Sequence, residues 1–165
     1  MLYIVQQVQN NVAFLYIAKL PGDMFVNGII FGCGEILSMV FSCFLMGRLL
    51  DVTAFRVVYA LGVIGYTLLM CFPDSAWLPY FGSLLLIMSI GGWLNIQLVI
   101  LEMRVPPKNV ASVQIIIRTI AIGTAISAPT ISNLDGVWPL LTMAAFAFFA
   151  FLLTFMLPPP GLHLA

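Results

Sequence analysis

Two charged side chains of this sequence lie deep inside apolar runs, and both can bind ions. The carboxylate of Glu35 can attract a cationic group or a proton, and the guanidinium of Arg118 can bind a carboxylate in a bidentate way. Each charge costs about 2.5–3.5 kcal/mol at the centre of a membrane helix, so such residues usually face a bundle interior or a wet cavity. For Glu35 we favour a functional role over a structural one, in which it is protonated or hydrogen-bonded across helices. Arg118 has two open interpretations, an anion site or a side chain that snorkels to the membrane surface.

Polar and aromatic residues in two apolar segments are further candidates for substrate binding. Trp93 lies in the predicted fourth membrane span, where it either packs in the core or contacts a substrate. Gln6 and Asn10 are four residues apart and therefore share one helical face, which suits water or polar partners inside a bundle. The alternative for their segment is a helix that lies on the membrane surface. Asn95 and Gln97 are on different faces, so at most one of them lines a cavity.

The composition predicts an all-α integral membrane protein. Hydrophobic residues make up 62% of the 165 positions and charged residues only 7%, whereas about 25–35% of a soluble protein's surface is charged. The formal net charge is zero, which does not suggest a nucleic-acid partner. The sequence has no catalytic motif, so we predict neither an enzyme nor a cofactor or metal site.

Apolar runs divide the chain into six predicted membrane-spanning helices. Their predicted bounds are residues 1–19, 24–47, 56–72, 80–101, 110–132 and 137–157, and a proline-rich tail follows at 158–165. Gly28 and Gly32 form a GxxxG pair and Gly34 follows, which predicts close helix packing. Pro129 is expected to kink the end of the fifth span. The sixth span is almost purely apolar and is the best candidate for a lipid-facing helix.

The loop charges predict the orientation in the membrane. The basic loop residues fall on the side reached after spans two and four: Arg48, Arg56, Arg104 and Lys108. The positive-inside rule then places these loops and both termini in the cytoplasm, or in the matrix of an organelle. The first span begins at Met1 without a polar lead-in, which suggests a fragment or one half of a split protein.

Several of these residues resemble a family of transporters. Residues 22–28, Gly-Asp-Met-Phe-Val-Asn-Gly, and residues 32–36, Gly-Cys-Gly-Glu-Ile, resemble the seventh-to-eighth span region of organic-ion (cation, anion and carnitine) transporters of the major facilitator superfamily. Glu35 falls at the position of that family's membrane-embedded Glu, and Trp93 falls near an aromatic position of its tenth span. The family's Glu-Leu-x-Pro-Thr-x-x-Arg-Asn loop resembles a second group of residues, Glu102 with Pro106, Pro107, Lys108 and Asn109. Its eleventh span, where an Arg is typical of anion-type members, resembles a third group, Arg118, Gly123, Ala128 and Pro129.

This resemblance covers nearly the whole chain but only the C-terminal half of such a transporter. It implies that Glu35 and Arg118 line the face meant for a second six-span half, and that a small organic ion is moved without chemistry. It also implies gating roles in two loops, for Arg48, Asp51 and Arg56 and for Glu102, Arg104 and Lys108. The first loop is reduced from the family's Asp-Arg-x-Gly-Arg-Arg pattern, and residues 158–162 replace its Pro-Glu-Thr-Lys-Gly end.

Three assemblies in the lipid bilayer remain open at this point. The chain is half of a split transporter, one mate of a homodimer, or a non-transporting structural subunit of a larger membrane complex. We favour transport, because a purely structural subunit gains little from retaining two embedded charges.

Overall fold

The computed structural model describes residues 23–49, 51–72 and 74–157. This part of the chain is helical, with no strands in the described ranges. The helices are α1 (Met24–Arg48), α2 (Asp51–Cys71), α3 (Leu78–Arg104), α4 (Pro107–Ala125), α5 (Ser127–Ser132) and α6 (Trp138–Leu153), followed by a 3₁₀ segment (Thr154–Met156). Five helical segments are long and apolar enough to cross a membrane, which confirms a multi-pass membrane protein in this range. The predicted span at residues 1–19 and the tail at 158–165 lie outside the described residues.

Two of the predicted loops are shorter than expected. The loop predicted for residues 48–55 is nearly absent, because α2 begins at Asp51 rather than at Arg56. The loop predicted for residues 102–109 is also too long, because α3 continues to Arg104 and α4 begins at Pro107. Proline suits the first turn of a helix, where its missing N–H would have no partner. Hydropathy underestimates these helices because their end turns contain charged residues while the backbone there is still helical.

Pro129 interrupts the fifth predicted span in the expected way. The α4 helix ends at Ala125, four residues before the proline, and the short α5 helix begins at Ser127. A proline ring clashes with the carbonyl four residues earlier and cannot donate a hydrogen bond to it. One predicted helix therefore becomes two.

The α3 helix is the centre of the described bundle. It packs against α2 on one side and α1 on the other, and α6 packs on the far side of α2. Gly65 of α2 and Gly82 of α3 bring these two backbones together: a β-carbon on Gly65 would lie 2.9 Å from the carbonyl oxygen of Gly82. Small residues of this kind allow two helices to approach closely in a membrane.

Two buried clusters fill this bundle at different depths. One contains Tyr66, Leu86, Ile87 and Met143, and the other contains Leu45, Tyr59, Trp93 and Ala150, each with further residues of the same helices. The earlier α2 residue Tyr59 shares a cluster with the later α6 residue Ala150, and the later α2 residue Tyr66 shares one with the earlier α6 residue Met143. The two helices are therefore antiparallel. The described helices are thereby fixed in register by apolar packing.

The prediction for the sixth span needs correction. The α6 helix buries a stripe formed by Leu140, Met143, Ala147 and Ala150 against its neighbours. The helix with least packing is α4, since no residue of its candidate membrane segment (Pro107–Ile131) whose side chain is described is buried. Composition misled the prediction because an apolar side chain suits a lipid neighbour and a protein neighbour equally well.

Candidate functional site

A row of small and polar residues joins α1 to α3 at the depth of Glu35. Gly34, Ser38 and Ser42 are spaced four apart on α1, so they lie on one face of that helix. They meet a matching row on α3 that consists of Ile87, Gly91 and Asn95. Gly34 meets Ile87, Ser38 meets Gly91 and Ser42 meets Asn95. Later residues of α1 thus meet later residues of α3, so the two helices run parallel.

The carboxylate of Glu35 lies beside Gly91. A β-carbon built on Gly91 would lie 3.5 Å from Oε2 of Glu35 and 2.7 Å from the β-carbon of Ser38. The missing side chain at Gly91 therefore leaves room for both α1 residues. Ser38 is fully buried, and its hydroxyl donates a hydrogen bond of 2.7 Å to the backbone oxygen of Glu35. Glu35 itself is only partly buried, so its carboxylate is at the edge of the contact between the two helices.

Two further polar groups extend this row toward the Arg48 end of α1. The Ser42 hydroxyl donates 2.6 Å to the backbone oxygen of Ser38 and accepts a hydrogen bond of 3.5 Å from Nδ2 of Asn95. Polar atoms thus run from Glu35 to Asn95 over about two helical turns, roughly 10 Å. Ser38 and Ser42 were not predicted as site residues, although their spacing of four from Gly34 is a small-xxx-small signal.

The other flank of Glu35 is a helix face that no described residue covers. Gly28, Gly32 and Glu35 are four and three residues apart and share a face of α1. Both glycines are exposed, and β-carbons on them would meet no described atom within 4 Å. The predicted close packing therefore holds within the described chain only for Gly34, whose β-carbon would lie 2.7 Å from Ile87.

Arg118 lies apart from this row. It is exposed on α4, between residues that are themselves largely exposed, such as Ile115 and Ile122. No ion pair joins it to Glu35 in the described part of the chain. The two embedded charges are therefore not partners, and each must be explained by its own surroundings.

Trp93 is on the opposite side of α3 from Glu35. It is 2% exposed and packs with Val58, Tyr59 and Ala150 in the second cluster. This position agrees with the packing alternative stated for Trp93. The neighbouring Asn95 points toward α1 instead and belongs to the polar row.

The candidate gating residues lie at the ends of the helices. Arg48 has its guanidinium carbon 5.6 Å from the centre of the Phe44 ring, and that of Arg56 is 4.3 Å from the centre of the Phe155 ring. Lys108 is exposed in the first turn of α4. For three others the structure describes the backbone alone, within helices: Asp51, Glu102 and Arg104. Gln6 and Asn10 lie outside the described residues.

An apolar groove of about 560 Å³ opens between the first halves of α1 and α3. Its wall is formed by aliphatic and aromatic side chains that include Ile29, Leu37, Trp77 and Phe81. The α1 residues of this groove lie on the flank away from Glu35. The groove offers hydrocarbon contacts and no charged group, so it is not part of the ion-binding candidate.

Metal binding has no structural basis in the described ranges. No three side chains of the types that bind metals come together there. The three cysteines, Cys33, Cys43 and Cys71, are free and exposed on their helices.

Comparison with known proteins gives no relative to which this chain can be assigned. It matches no family model, no curated protein and no solved structure. The function is therefore argued from the polar row and the open face of α1.

Proposed function

We propose that this chain is one half of a transmembrane transporter for small organic ions, with Glu35 as its ion-binding residue. The observation that carries the proposal is the place of that carboxylate, between a packed polar row and an open glycine face at mid-depth. Glu35 is about 17 Å along the axis from the Met24 end of α1 and about 20 Å from the Arg48 end. Transporters built from two related halves hold their substrates near the bilayer midplane, where the halves meet.

The charge of the site favours a cation over an anion. No basic side chain of the described residues pairs with Glu35, and Arg118 is exposed on a different helix. An unpaired carboxylate at mid-depth is costly, and binding a cation or a proton removes that cost. The side chains of Ser38, Ser42 and Asn95 continue the polar row between α1 and α3 from Glu35 toward the Arg48 end. The proposed substrate is therefore a small organic cation, with a proton as the competing ligand of the same carboxylate.

The open face of α1 is the proposed contact for a second six-span unit. Gly28 and Gly32 have no described neighbour, and glycines at this spacing let another helix approach closely. A helix there would cover the free flank of Glu35 and complete a cavity that one half leaves open. Alternating access then follows from rocking one unit against the other around a fixed site. The second unit is either another chain or a second copy of this one.

Uptake by liposomes that contain the intact assembly tests the role of Glu35. The probe is a radiolabelled quaternary ammonium ion, and the variant is Glu35→Gln, which keeps the shape of the side chain and removes its charge. Losing one interaction with a charged group, about 1.5–3 kcal/mol, should lower cation uptake about 10- to 100-fold. The matched control is Asp135→Asn, the same chemical change at an exposed loop position, which should leave uptake unchanged.

Two results would contradict transport by this site. Equal uptake by the wild type and Glu35→Gln would remove Glu35 from the path. No uptake by the wild type, together with a native mass spectrum showing many unrelated subunits, would support the structural-subunit alternative. A spectrum showing one second six-span unit, or two copies of this chain, would support the half-transporter.

A further inference from the structure

Arg56 is a cation held close to one surface of the hydrocarbon layer. The α2 helix has 21 residues, which corresponds to a length of about 32 Å and matches the roughly 30 Å core of a bilayer. Arg56 is five residues from its Asp51 end, about 7.5 Å along the axis. An arginine side chain at this depth reaches the level of the lipid headgroups.

An aromatic ring fixes the position of this guanidinium. Its central carbon is 4.3 Å from the centre of the Phe155 ring, in the 3₁₀ segment that follows α6. Phe155 in turn makes an edge-to-face contact with Phe151, with 5.3 Å between ring centres. The cation is therefore placed between α2 and the end of α6. Phe155 is 55% exposed, so its ring lies at the surface of the described bundle.

The charge of Arg56 is not neutralised by the described residues. Its Nε atom is buried without a hydrogen-bond partner, and no described carboxylate forms an ion pair with the guanidinium. Two further cations lie at the same end of the bundle, Arg48 at the end of α1 and Lys108 at the start of α4. Arg104 also lies at this end, together with the acidic residues Asp51 and Glu102. Four basic residues against two acidic ones leave this end with a positive formal charge, which favours anions.

We propose that Arg56 binds the phosphate of an anionic phospholipid in the leaflet at this end of the bundle. A guanidinium can donate two parallel hydrogen bonds to phosphate oxygens. Because Nε is buried, the proposed contact is made by the two terminal nitrogens of the group, which Phe155 does not replace as donors. The acyl chains of the same lipid would lie along the exposed apolar surface beside Phe155. This site does not depend on transport by Glu35, and it would serve equally in a structural subunit.

Lipid titrations of the purified protein in neutral detergent test the proposal. Phosphatidylglycerol and phosphatidylcholine are added separately, and retained lipid is counted by native mass spectrometry. A hydrogen-bonded contact between charged groups at one fixed position corresponds to about tenfold or more in affinity. Arg56→Gln should therefore bind phosphatidylglycerol at least about tenfold more weakly and phosphatidylcholine as before. The control, Arg48→Gln, removes an exposed cation at the same end and should lose only the diffuse attraction of one basic residue, at most about fivefold.

Several results would overturn the site. Equal losses in Arg56→Gln and Arg48→Gln would mean diffuse surface attraction without a specific position. Displacement of phosphatidylglycerol by millimolar inorganic phosphate would mean a site for free anions and not for lipid. If Arg56→Gln does not fold, the wild type still decides: equal retention of the two lipids rejects the proposal, whereas selective retention that is lost in Arg56→Lys supports bidentate binding.

Discussion

Replacing Gly91 with alanine tests the contact that places Glu35. The added β-carbon would lie 2.7 Å from the β-carbon of Ser38, more than 1 Å inside the ordinary separation of about 4 Å between two carbons. Both atoms are attached directly to helix backbones, so no side-chain rotation relieves the overlap. One of the two helices must move, and overpacking of this kind costs about 1–3 kcal/mol. Gly91→Ala should therefore lower the folded-to-unfolded ratio by roughly 5- to 150-fold.

Unfolding of the protein in mixed detergent micelles, followed by circular dichroism, measures this cost. Gly47→Ala, on α1, is the matched control, because a β-carbon there meets no described atom within 4 Å. That change should be neutral or stabilising by up to about 1 kcal/mol, since alanine loses less backbone entropy in a helix. Adding Ser38→Gly to Gly91→Ala removes the clashing carbon. The double variant should therefore be at least about 0.5 kcal/mol more stable to unfolding than the sum of the two single changes predicts. Equal stability of Gly91→Ala and Gly47→Ala would refute the parallel contact of α1 with α3 and the placement of Glu35 derived from it.

Two further predictions concern α3 and the break in the fifth span. Ser89→Ala removes a hydroxyl that donates a hydrogen bond of 2.8 Å to the backbone oxygen of Val58 on α2. Unfolding in micelles should show that the free energy of unfolding falls by about 0.6–1.7 kcal/mol. The control Ser83→Ala, whose hydroxyl bonds within its own helix, should lose less stability, and equal losses would contradict an interhelical role for Ser89. Pro129→Ala supplies the backbone N–H that proline cannot donate to the Ala125 carbonyl, so α4 and α5 should join into one helix. Hydrogen–deuterium exchange of the backbone amides should then slow across residues 125–130. Unchanged exchange would mean that the break has another cause.

The sequence was sufficient to predict the class of the protein and most of its helices. Membrane spanning follows from hydropathy, because a run of about 20 apolar residues has no stable place in water. The break before Pro129 follows from one covalent fact, the missing N–H of proline. The depth of Glu35 also follows from its position in the second predicted span. Helix ends were less predictable, since α2 and α3 continue through the charged residues that were assigned to loops.

Only the tertiary structure decided which faces of those helices meet. It packs Gly34 against Ile87 and gives Gly28 and Gly32 no neighbour among the described residues, although all three glycines carry the same sequence signal. It also places Trp93 in the core and Arg118 on an exposed surface away from Glu35. In a soluble protein the polar face of a helix would indicate its orientation. Within a bilayer the lipid tails are as apolar as leucine, so hydropathy cannot distinguish a lipid-facing side from a helix-facing side. The sequence determined that a carboxylate lies within the membrane, and the packing of α1 on α3 through Ser38 and Gly91 determined which surface it faces.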